Sequence, residues 1–132
     1  MPTDRFVLGI DAGTTGVTAA LVDGGGRIAH RTYAEFPQHY PRPGWVEHDA
    51  NEIWTTTVDV VRRLVAMVDE CEIACIGITN QRETAVVWQR SSSEPIHNAI
   101  VWQCRRTSDR TDRLREDGHE PAITEATGLV AD

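Results

Sequence analysis

The stretch from residue 49 to residue 79 constrains the fold of this 132-residue chain more than any other part. Asp49 is placed as a helix N-cap, and Glu52 completes a capping-box pattern three residues later. One helical stripe then carries Ile53, Thr57, Val60, Val61, Leu64, Val65 and Val68. Residues 72–79 have too many apolar side chains for one solvated face, which predicts a buried, central and parallel strand. The helix is then the crossover into that strand.

Three shorter extended runs precede the helix, at residues 5–10, 16–22 and 27–36. The first two are joined by Asp11-Ala12-Gly13-Thr14-Thr15, and the next two by an aspartate and three glycines. Tight connections of this kind between β-rich runs are typical of an antiparallel meander. A β-β-β-α-β order with a mixed sheet belongs to the α/β class, in a ribonuclease-H-like or actin-like arrangement.

The remaining third of the chain is more polar, and its elements are shorter. We predict a strand at residues 84–89, a turn at 91–93 and an extended segment at 96–102. An exposed helix is expected at residues 106–117, ending before Gly118, with a further helical turn within 120–127. The length suffices for one domain with a real core.

Composition excludes several classes of function. All 13 basic residues are arginine, so a P-loop lysine, a Schiff-base lysine and a lysine general base are ruled out. The formal net charge of −7 lacks the basic surplus that a duplex-binding surface needs. We therefore expect no nucleic acid as the main partner.

Cysteine and histidine spacing argues against a disulfide framework or a metal cluster. The three cysteines do not have the spacing of a zinc finger or of paired disulfides. The five histidines, His30, His39, His48, His97 and His119, are interpreted as scattered surface residues. With short apolar runs and no secretory signal, the chain is expected to be cytoplasmic, reduced and without a membrane partner.

The first candidate site lies at residues 9–16. Asp11 ends an apolar strand, and Gly13, Thr14 and Thr15 follow in a tight turn. Glycine lets the backbone approach an anion, successive N–H groups can form a nest for phosphate oxygens, and the hydroxyls add donors. Asp11 is placed to hold Mg²⁺ beside those phosphates, directly or through water. An ordinary hairpin turn uses the same residue types, so both interpretations stay open here.

The second candidate site is the polar segment at residues 79–84, directly after the predicted buried strand. Ligands of open α/β sheets collect at the carboxyl ends of strands. Arg82 offers fork-shaped donors and Glu83 a two-oxygen acceptor, which suits the vicinal hydroxyls of a polyol or sugar. A solvated loop with a local Arg82–Glu83 ion pair is slightly favoured on these residues alone. Trp102 fits either a wall against ligand C–H groups or a core or subunit contact.

Four stretches, at residues 9–15, 43–54, 76–84 and 98–107, carry a resemblance to a known family. Together they resemble the N-terminal part of the glycerol kinases, in the FGGY carbohydrate kinase group of the actin-like ATPase superfamily. The first stretch is shared across sugar kinases. The last two are similar to the glycerol kinases in particular, and the resemblance covers nearly the whole chain.

The resemblance implies transfer of the γ-phosphoryl group of Mg·ATP to the terminal hydroxyl of glycerol or a similar small polyol. It implies that Asp11 positions the metal and the phosphates, and that phosphate is bound by Gly13, Thr14, Thr15 and the Gly16 backbone. Arg82 and Glu83 would form a glycerol clamp, with Trp102 as its apolar wall. It also implies a catalytic base and an adenosine site beyond residue 132. Residues 1–132 are therefore expected to form an incomplete N-terminal lobe, lacking the C-terminal lobe and inactive alone. Whether a full-length protein forms a homo-oligomer is left open.

Two residues depart from the family pattern. Ala12 stands where members usually have glutamine, and Thr18 stands where an arginine assists the nucleotide phosphates. No lysine is present to replace that charge, so ATP binding weakens, transfer slows, or another residue compensates. The alternatives are a kinase for another small polyol or ketose, and a non-catalytic nucleotide-binding module built on an actin-like lobe.

Overall fold

The computed structural model of the chain describes residues 5–69 and 72–132. In chain order its elements are strands β1 (Phe6–Ala12), β2 (Gly16–Val22), β3 (Ile28–Glu35) and β4 (Glu47–His48), helix α1 (Ala50–Val65), strands β5 (Ile73–Asn80) and β6 (Ala99–Ile100), and helices α2 (Ser108–Glu116) and α3 (Glu120–Thr127). One sheet has the order β3-β2-β1-β5, and β4 pairs with β6. The first three strands are antiparallel and β5 runs parallel to β1, which confirms the mixed α/β sheet and its crossover helix.

Helix α1 forms where its cap and its apolar stripe agree. The Asp49 carboxylate accepts a hydrogen bond from the Asn51 backbone N–H at 2.8 Å. Glu52 does not complete a capping box but pairs with His39, with Oε2 and Nε2 2.8 Å apart. The core between α1 and the meander is built from Leu8, Val17, Ala19, Leu21, Phe36, Val60 and Leu64. Burial of this stripe holds the helix on one face of the sheet.

Strand β5 is parallel, as predicted, but the prediction of a buried, central strand is wrong. Within residues 5–69 and 72–132 it is an edge strand, and Ile76 and Ile78 are 60% and 76% exposed. Helix α1 packs mainly over β2 and β3, so the described residues provide no layer over β5. The many apolar residues of β5 indicate that both of its faces need to be packed against other elements, but they do not identify those elements.

The predicted strand at residues 84–89 is also wrong. This segment forms only isolated bridges, between Ala85 and Ile100 and between Trp88 and Pro95. A strand needs one continuous partner, and here single residues meet two different partners. The turn near residues 91–93 is confirmed, since the Gln89 N–H donates to the Glu94 carbonyl at 2.8 Å across it. None of the helices within residues 5–69 and 72–132 is long and apolar enough to cross a membrane.

Candidate active site

The carboxyl ends of β1 and β5 lie side by side, and they bring the two predicted sites together. In the parallel register Asp11 lies opposite Thr79, and Ala12 lies opposite Asn80. Directly beyond these ends, the Gln81 backbone N–H donates to the Ala12 carbonyl at 3.0 Å. The turn after β1 and the loop after β5 are therefore neighbours at one edge of the sheet, where open α/β sheets bind ligands.

A cleft of about 290 Å³ opens between this turn and this loop. Its lining residues are Thr14, Asn80, Gln81, Arg82, Glu83 and Trp102. Trp102 reaches the turn from the segment after β6, and its indole Nε1 donates to the Thr14 hydroxyl oxygen at 3.0 Å. Four of the predicted site residues, Thr14, Arg82, Glu83 and Trp102, thus line the same cleft.

The two predicted clamp residues are available to a ligand. Arg82 and Glu83 are both exposed, and neither takes part in an ion pair with any residue that the structure describes. The local ion pair that the sequence slightly favoured is therefore not formed. Glu83 also has a backbone φ of 59°, in the left-handed region. For a residue other than glycine that conformation costs on the order of 1–3 kcal/mol, and such strain is concentrated at functional sites.

The turn between β1 and β2 is a tight hairpin with two loop residues, Thr14 and Thr15. The Gly13 N–H donates to the Gly16 carbonyl at 3.0 Å, so this amide is used inside the turn. The backbone N–H groups of Thr14 and Thr15 donate to no other described residue. These two amides are free to donate to an anion, as a phosphate nest requires.

Gly16 has a packing reason to be glycine. A Cβ at this position would lie 2.5 Å from the Ala34 carbonyl oxygen and 2.8 Å from the Tyr33 hydroxyl, both on β3. Contacts this short are absent from real structures, so the strands approach too closely here for any side chain. Its phosphate-binding role stays a prediction.

Asp11 lies beside Thr18, where the resemblance leads us to expect an arginine. Asp11 on β1 is paired in register with Thr18 on β2, and with Thr79 they line a shallow groove of about 440 Å³. Magnesium is commonly held by one or two carboxylates together with substrate phosphates, so one carboxylate with neighbouring hydroxyls fits Mg²⁺ only when phosphates complete the set. Within residues 5–69 and 72–132, no three or more His, Cys, Asp or Glu side chains form an all-protein metal site.

A buried histidine supports both loops, and the interpretation of His48 as a surface residue is wrong. Its ring is fully buried and meets the Phe36 ring edge-on at 5.0 Å between centroids. Its Nε2 lies 2.6 Å from Gln38 Oε1, and its Nδ1 lies 3.2 Å from Gln81 Nε2. Burial lowers the pKa of His48, which favours the neutral ring. No local pattern distinguishes His48 from the four other histidines in the sequence.

A buried ion pair anchors β4 behind the cleft. Arg106, predicted to begin an exposed helix, instead places its guanidinium 2.7 Å from Glu47 Oε1 and 3.9 Å from the centre of the Trp45 ring. The hydrogen bond from Arg106 holds the pKa of Glu47 below its usual range, with a further bond from Asn98 acting in the same direction. Helix α2 accordingly begins two residues later than predicted, at Ser108.

Comparison with known proteins identifies the family. Residues 6–132 match the profile of the FGGY family of carbohydrate kinases, N-terminal domain. The chain is 53% identical to glycerol kinase of Bradyrhizobium diazoefficiens over 129 residues, which are 96% of this chain and 26% of that protein. It is 48% identical to glycerol kinase of Haemophilus influenzae over 134 residues, covering 100% of this chain and 27% of that protein. The chain thus spans about a quarter of the length of these relatives.

Solved structures agree with this assignment. Plasmodium falciparum glycerol kinase, crystallised with ADP, superposes with a TM-score of 0.86 at 30% identity, over 98% of this chain and 26% of that one. Gluconate kinase from Lactobacillus acidophilus shares the fold, with a TM-score of 0.86 at 21% identity over 96% of this chain and 25% of that one. These likenesses confirm the actin-like α/β fold. The chain therefore belongs to the FGGY family of carbohydrate kinases, and it matches the N-terminal domain of that family.

Proposed function

We propose that this chain supplies the phosphate turn and the polyol clamp of an ATP-dependent kinase that converts glycerol to glycerol 3-phosphate. The observation that carries the proposal is the hydrogen bond from Trp102 Nε1 to the Thr14 hydroxyl, because it joins the predicted polyol wall to the predicted phosphate turn. Relatives named glycerol kinase, 48–53% identical, support the choice of glycerol. The activity belongs to a polypeptide of the relatives' length that contains this chain, called the full-length protein below.

The polyol half of the site has matched chemistry. The Arg82 guanidinium donates several hydrogen bonds in a fixed plane, and the Glu83 carboxylate accepts from hydroxyl groups. The ring of Trp102 is about half exposed and offers an apolar surface for ligand C–H groups. A volume of about 290 Å³ lies at the small end of ligand pockets. It accommodates a three-carbon polyol, and the choice of glycerol rests on the named relatives.

The proposed phosphate half of the site lies outside the cleft: Asp11 lines the neighbouring groove, and Thr14 is the turn residue that also lines the cleft. The free backbone N–H groups of Thr14 and Thr15 would donate to phosphate oxygens, and Asp11 would hold Mg²⁺ together with those phosphates. When bound, Mg·ATP supplies the phosphoryl group and the metal charge that offsets developing negative charge. Because Thr14 borders both halves, the turn holds a phosphate next to a hydroxyl bound at Arg82 and Glu83, which is the positioning that transfer requires.

A coupled ATP-consumption assay on the full-length protein tests the proposal, with glycerol, dihydroxyacetone, erythritol and xylulose as substrates. We expect the highest kcat/KM for glycerol. Arg82→Ala and Glu83→Ala should each lower it about 10- to 100-fold, since a lost polar contact costs roughly 1–3 kcal/mol. Arg90→Ala is the matched control, because Arg90 is an exposed arginine outside the cleft. Undiminished kcat/KM in Arg82→Ala would refute the clamp, and preference for another substrate would identify a different polyol or ketose kinase.

The residue beside Asp11 favours a second candidate function, nucleotide binding without phosphoryl transfer. Thr18 leaves the carboxylate without the cationic neighbour that the family usually has there. A full-length protein that binds ADP but consumes no ATP with any substrate of the panel would support this candidate. If the kinase proposal holds, Thr18→Arg should instead raise kcat/KM for ATP, because arginine stabilises charge on the transferring phosphoryl group.

We also propose that residues 1–132 form an incomplete lobe that is inactive without the rest of a full-length protein. The cleft lining contains one carboxylate, Glu83, which the clamp already uses, so a general base has to come from elsewhere. Steady glycerol phosphorylation by the 132-residue chain would contradict this proposal. A cytoplasmic setting, which keeps free thiols such as Cys75 and Cys104 reduced, is part of the same proposal.

A further inference from the structure

We propose that His48 is a positioning residue that sets the phosphate turn and the clamp loop at their working distance from each other. Its two ring nitrogens meet the amide side chains of Gln38 and Gln81. Gln38 binds the phosphate turn, and Gln81 begins the clamp loop. The inference rests on the proposed function, because it concerns how the two halves of that site are aligned.

The connection to the phosphate turn runs through Gln38. The Gln38 Nε2 amide donates to the Thr14 carbonyl at 3.1 Å and to the Phe36 carbonyl at 3.3 Å. Its Oε1 is therefore the atom that faces His48 Nε2, at 2.6 Å. His48 thus fixes the amide that holds the backbone of Thr14.

The connection to the clamp loop runs through Gln81. Its Nε2 lies 3.2 Å from His48 Nδ1 and 3.5 Å from the Gly13 carbonyl. Its Oε1 accepts a hydrogen bond from the Thr84 hydroxyl at 2.8 Å. Both ends of the Gln81 amide are therefore engaged immediately before the two clamp residues, so the start of that loop is held in one conformation.

These contacts permit one proton arrangement on the His48 ring. Because Gln38 presents its oxygen, His48 Nε2 must carry the hydrogen. Because the Gln81 oxygen is used by Thr84, its NH₂ faces His48 Nδ1, which must be unprotonated. The neutral Nε2–H tautomer satisfies both partners, whereas a doubly protonated ring would set a donor against the Gln81 NH₂. The lowered pKa that burial gives His48 agrees with this arrangement.

The hydrogen bonds form a closed circuit around the cleft. From Gln81 this circuit continues through the Thr84 hydroxyl, which accepts from the Trp102 backbone N–H at 3.4 Å. Trp102 then returns to Thr14 through its indole N–H at 3.0 Å. The buried His48 does not line the cleft, so it acts on the reaction only by holding the other members of this hydrogen-bond circuit. Misplacement of reacting groups by about 1 Å can cost roughly 100-fold in rate, which is the scale at stake.

Kinetics of His48→Phe in the full-length protein test this role, because phenylalanine keeps a ring against Phe36 but loses both hydrogen bonds. We expect kcat to fall about 10- to 100-fold with little change in KM for glycerol, since each half-site stays intact and only their alignment is lost. Leu64→Val changes a buried residue outside the hydrogen-bond circuit. It is the control for lost stability and should leave kcat per folded protein unchanged. His48→Gln, which retains a donor toward Gln38, should recover part of kcat and also serves if the phenylalanine variant does not fold. A wild-type kcat in the His48 variants would overturn the inference.

A second measurement separates this inference from the proposed function. Long-range ¹H–¹⁵N spectra of histidine-labelled protein should show His48 protonated at Nε2 only, and they require no substrate. A ring protonated at Nδ1, or at both nitrogens at neutral pH, would overturn the inference even if glycerol were phosphorylated. If no substrate of the panel is turned over, the protonation state of His48 tests the inference by itself, since it does not depend on catalysis.

Discussion

Gly16→Ala tests whether close packing against β3 holds the phosphate turn. The added Cβ would lie 2.5 Å from the Ala34 carbonyl oxygen and 2.8 and 2.9 Å from two side-chain atoms of Tyr33. The Tyr33 side chain is 44% exposed and can turn away. The Ala34 carbonyl cannot, because it belongs to the β2–β3 ladder. The two strands must therefore separate locally by roughly 1 Å to restore ordinary contact.

The expected cost follows from two opposing effects. Overpacking of a rigid site costs about 1–3 kcal/mol, and replacing glycine by alanine within a strand returns about 0.5–1 kcal/mol of backbone entropy. With the midpoints of these ranges, the net loss in the free energy of unfolding is about 1.3 kcal/mol. With an unfolding entropy of about 2.1 cal/mol/K per residue, this chain should lose about 5 °C in Tm.

Thermal and urea unfolding followed by circular dichroism measure this loss. Gly77→Ala is the matched control, since Gly77 lies in strand β5 of the same sheet and a Cβ there meets nothing within 4 Å. The control should be neutral or slightly stabilising. In the Gly16→Ala background, Tyr33→Ala should recover little stability, because the Ala34 carbonyl contact remains. The reasoning fails if Gly16→Ala is as stable as the wild type, or if Tyr33→Ala restores full stability.

Three further predictions concern strain and charge. Glu83→Gly should gain up to about 1 kcal/mol of stability, because glycine relieves the strain of a φ of 59°, but it should lower kcat/KM for glycerol. Glu83→Ala should lower kcat/KM without the gain in stability. Denaturation measures the stability, and the coupled assay measures kcat/KM. Because burial lowers the pKa of His48 below its usual value of 6.5, the unfolded chain takes up the second ring proton at a higher pH than the folded chain does. Tm should therefore fall as pH drops below about 6.5, with a smaller slope in His48→Phe. Because Arg106 lowers the pKa of Glu47 below 4.5, their ion pair should stabilise the fold above that pH and be lost as pH falls through the folded pKa. Glu47→Gln should cost about 1.5–3 kcal/mol in urea unfolding, because a neutral amide replaces the charged acceptor of the Arg106 hydrogen bond, against at most about 1 kcal/mol for the exposed Asp59→Asn.

The parts of the fold that the sequence predicted well depend on local patterns. Strand β2 has the predicted bounds, because tight turns rich in Gly, Asp and Thr flank an apolar run. Helix α1 begins after Asp49 as predicted, because the cap and the apolar stripe lie within one segment. The predictions for β5 and for residues 84–89 failed where the answer depended on which distant element covers or pairs with the segment.

The candidate site likewise has features that the sequence predicted and features that it did not. Asp11, Thr14, Arg82 and Glu83 were singled out from local motifs, since a carboxylate, glycines and hydroxyls in one turn, or an arginine beside a glutamate after an apolar strand, are visible within a few positions. Gln38 and His48, which support the two loops, were not. The assembly of the site was not visible. The bond between Thr14 and Trp102 joins residues 88 positions apart, and the contact between His48 and Gln81 spans 33 positions.

The sequence by itself thus determined the local conformations and the chemical groups that the chain offers. Only the tertiary structure decided which of these groups meet: the parallel pairing of β1 with β5 sets the two loops side by side, and burial converts His48 from one of five similar histidines into the link between them. The physical reason is that backbone propensity and turn chemistry act over a few residues, whereas desolvation and hydrogen-bond geometry depend on neighbours that sheet order brings together.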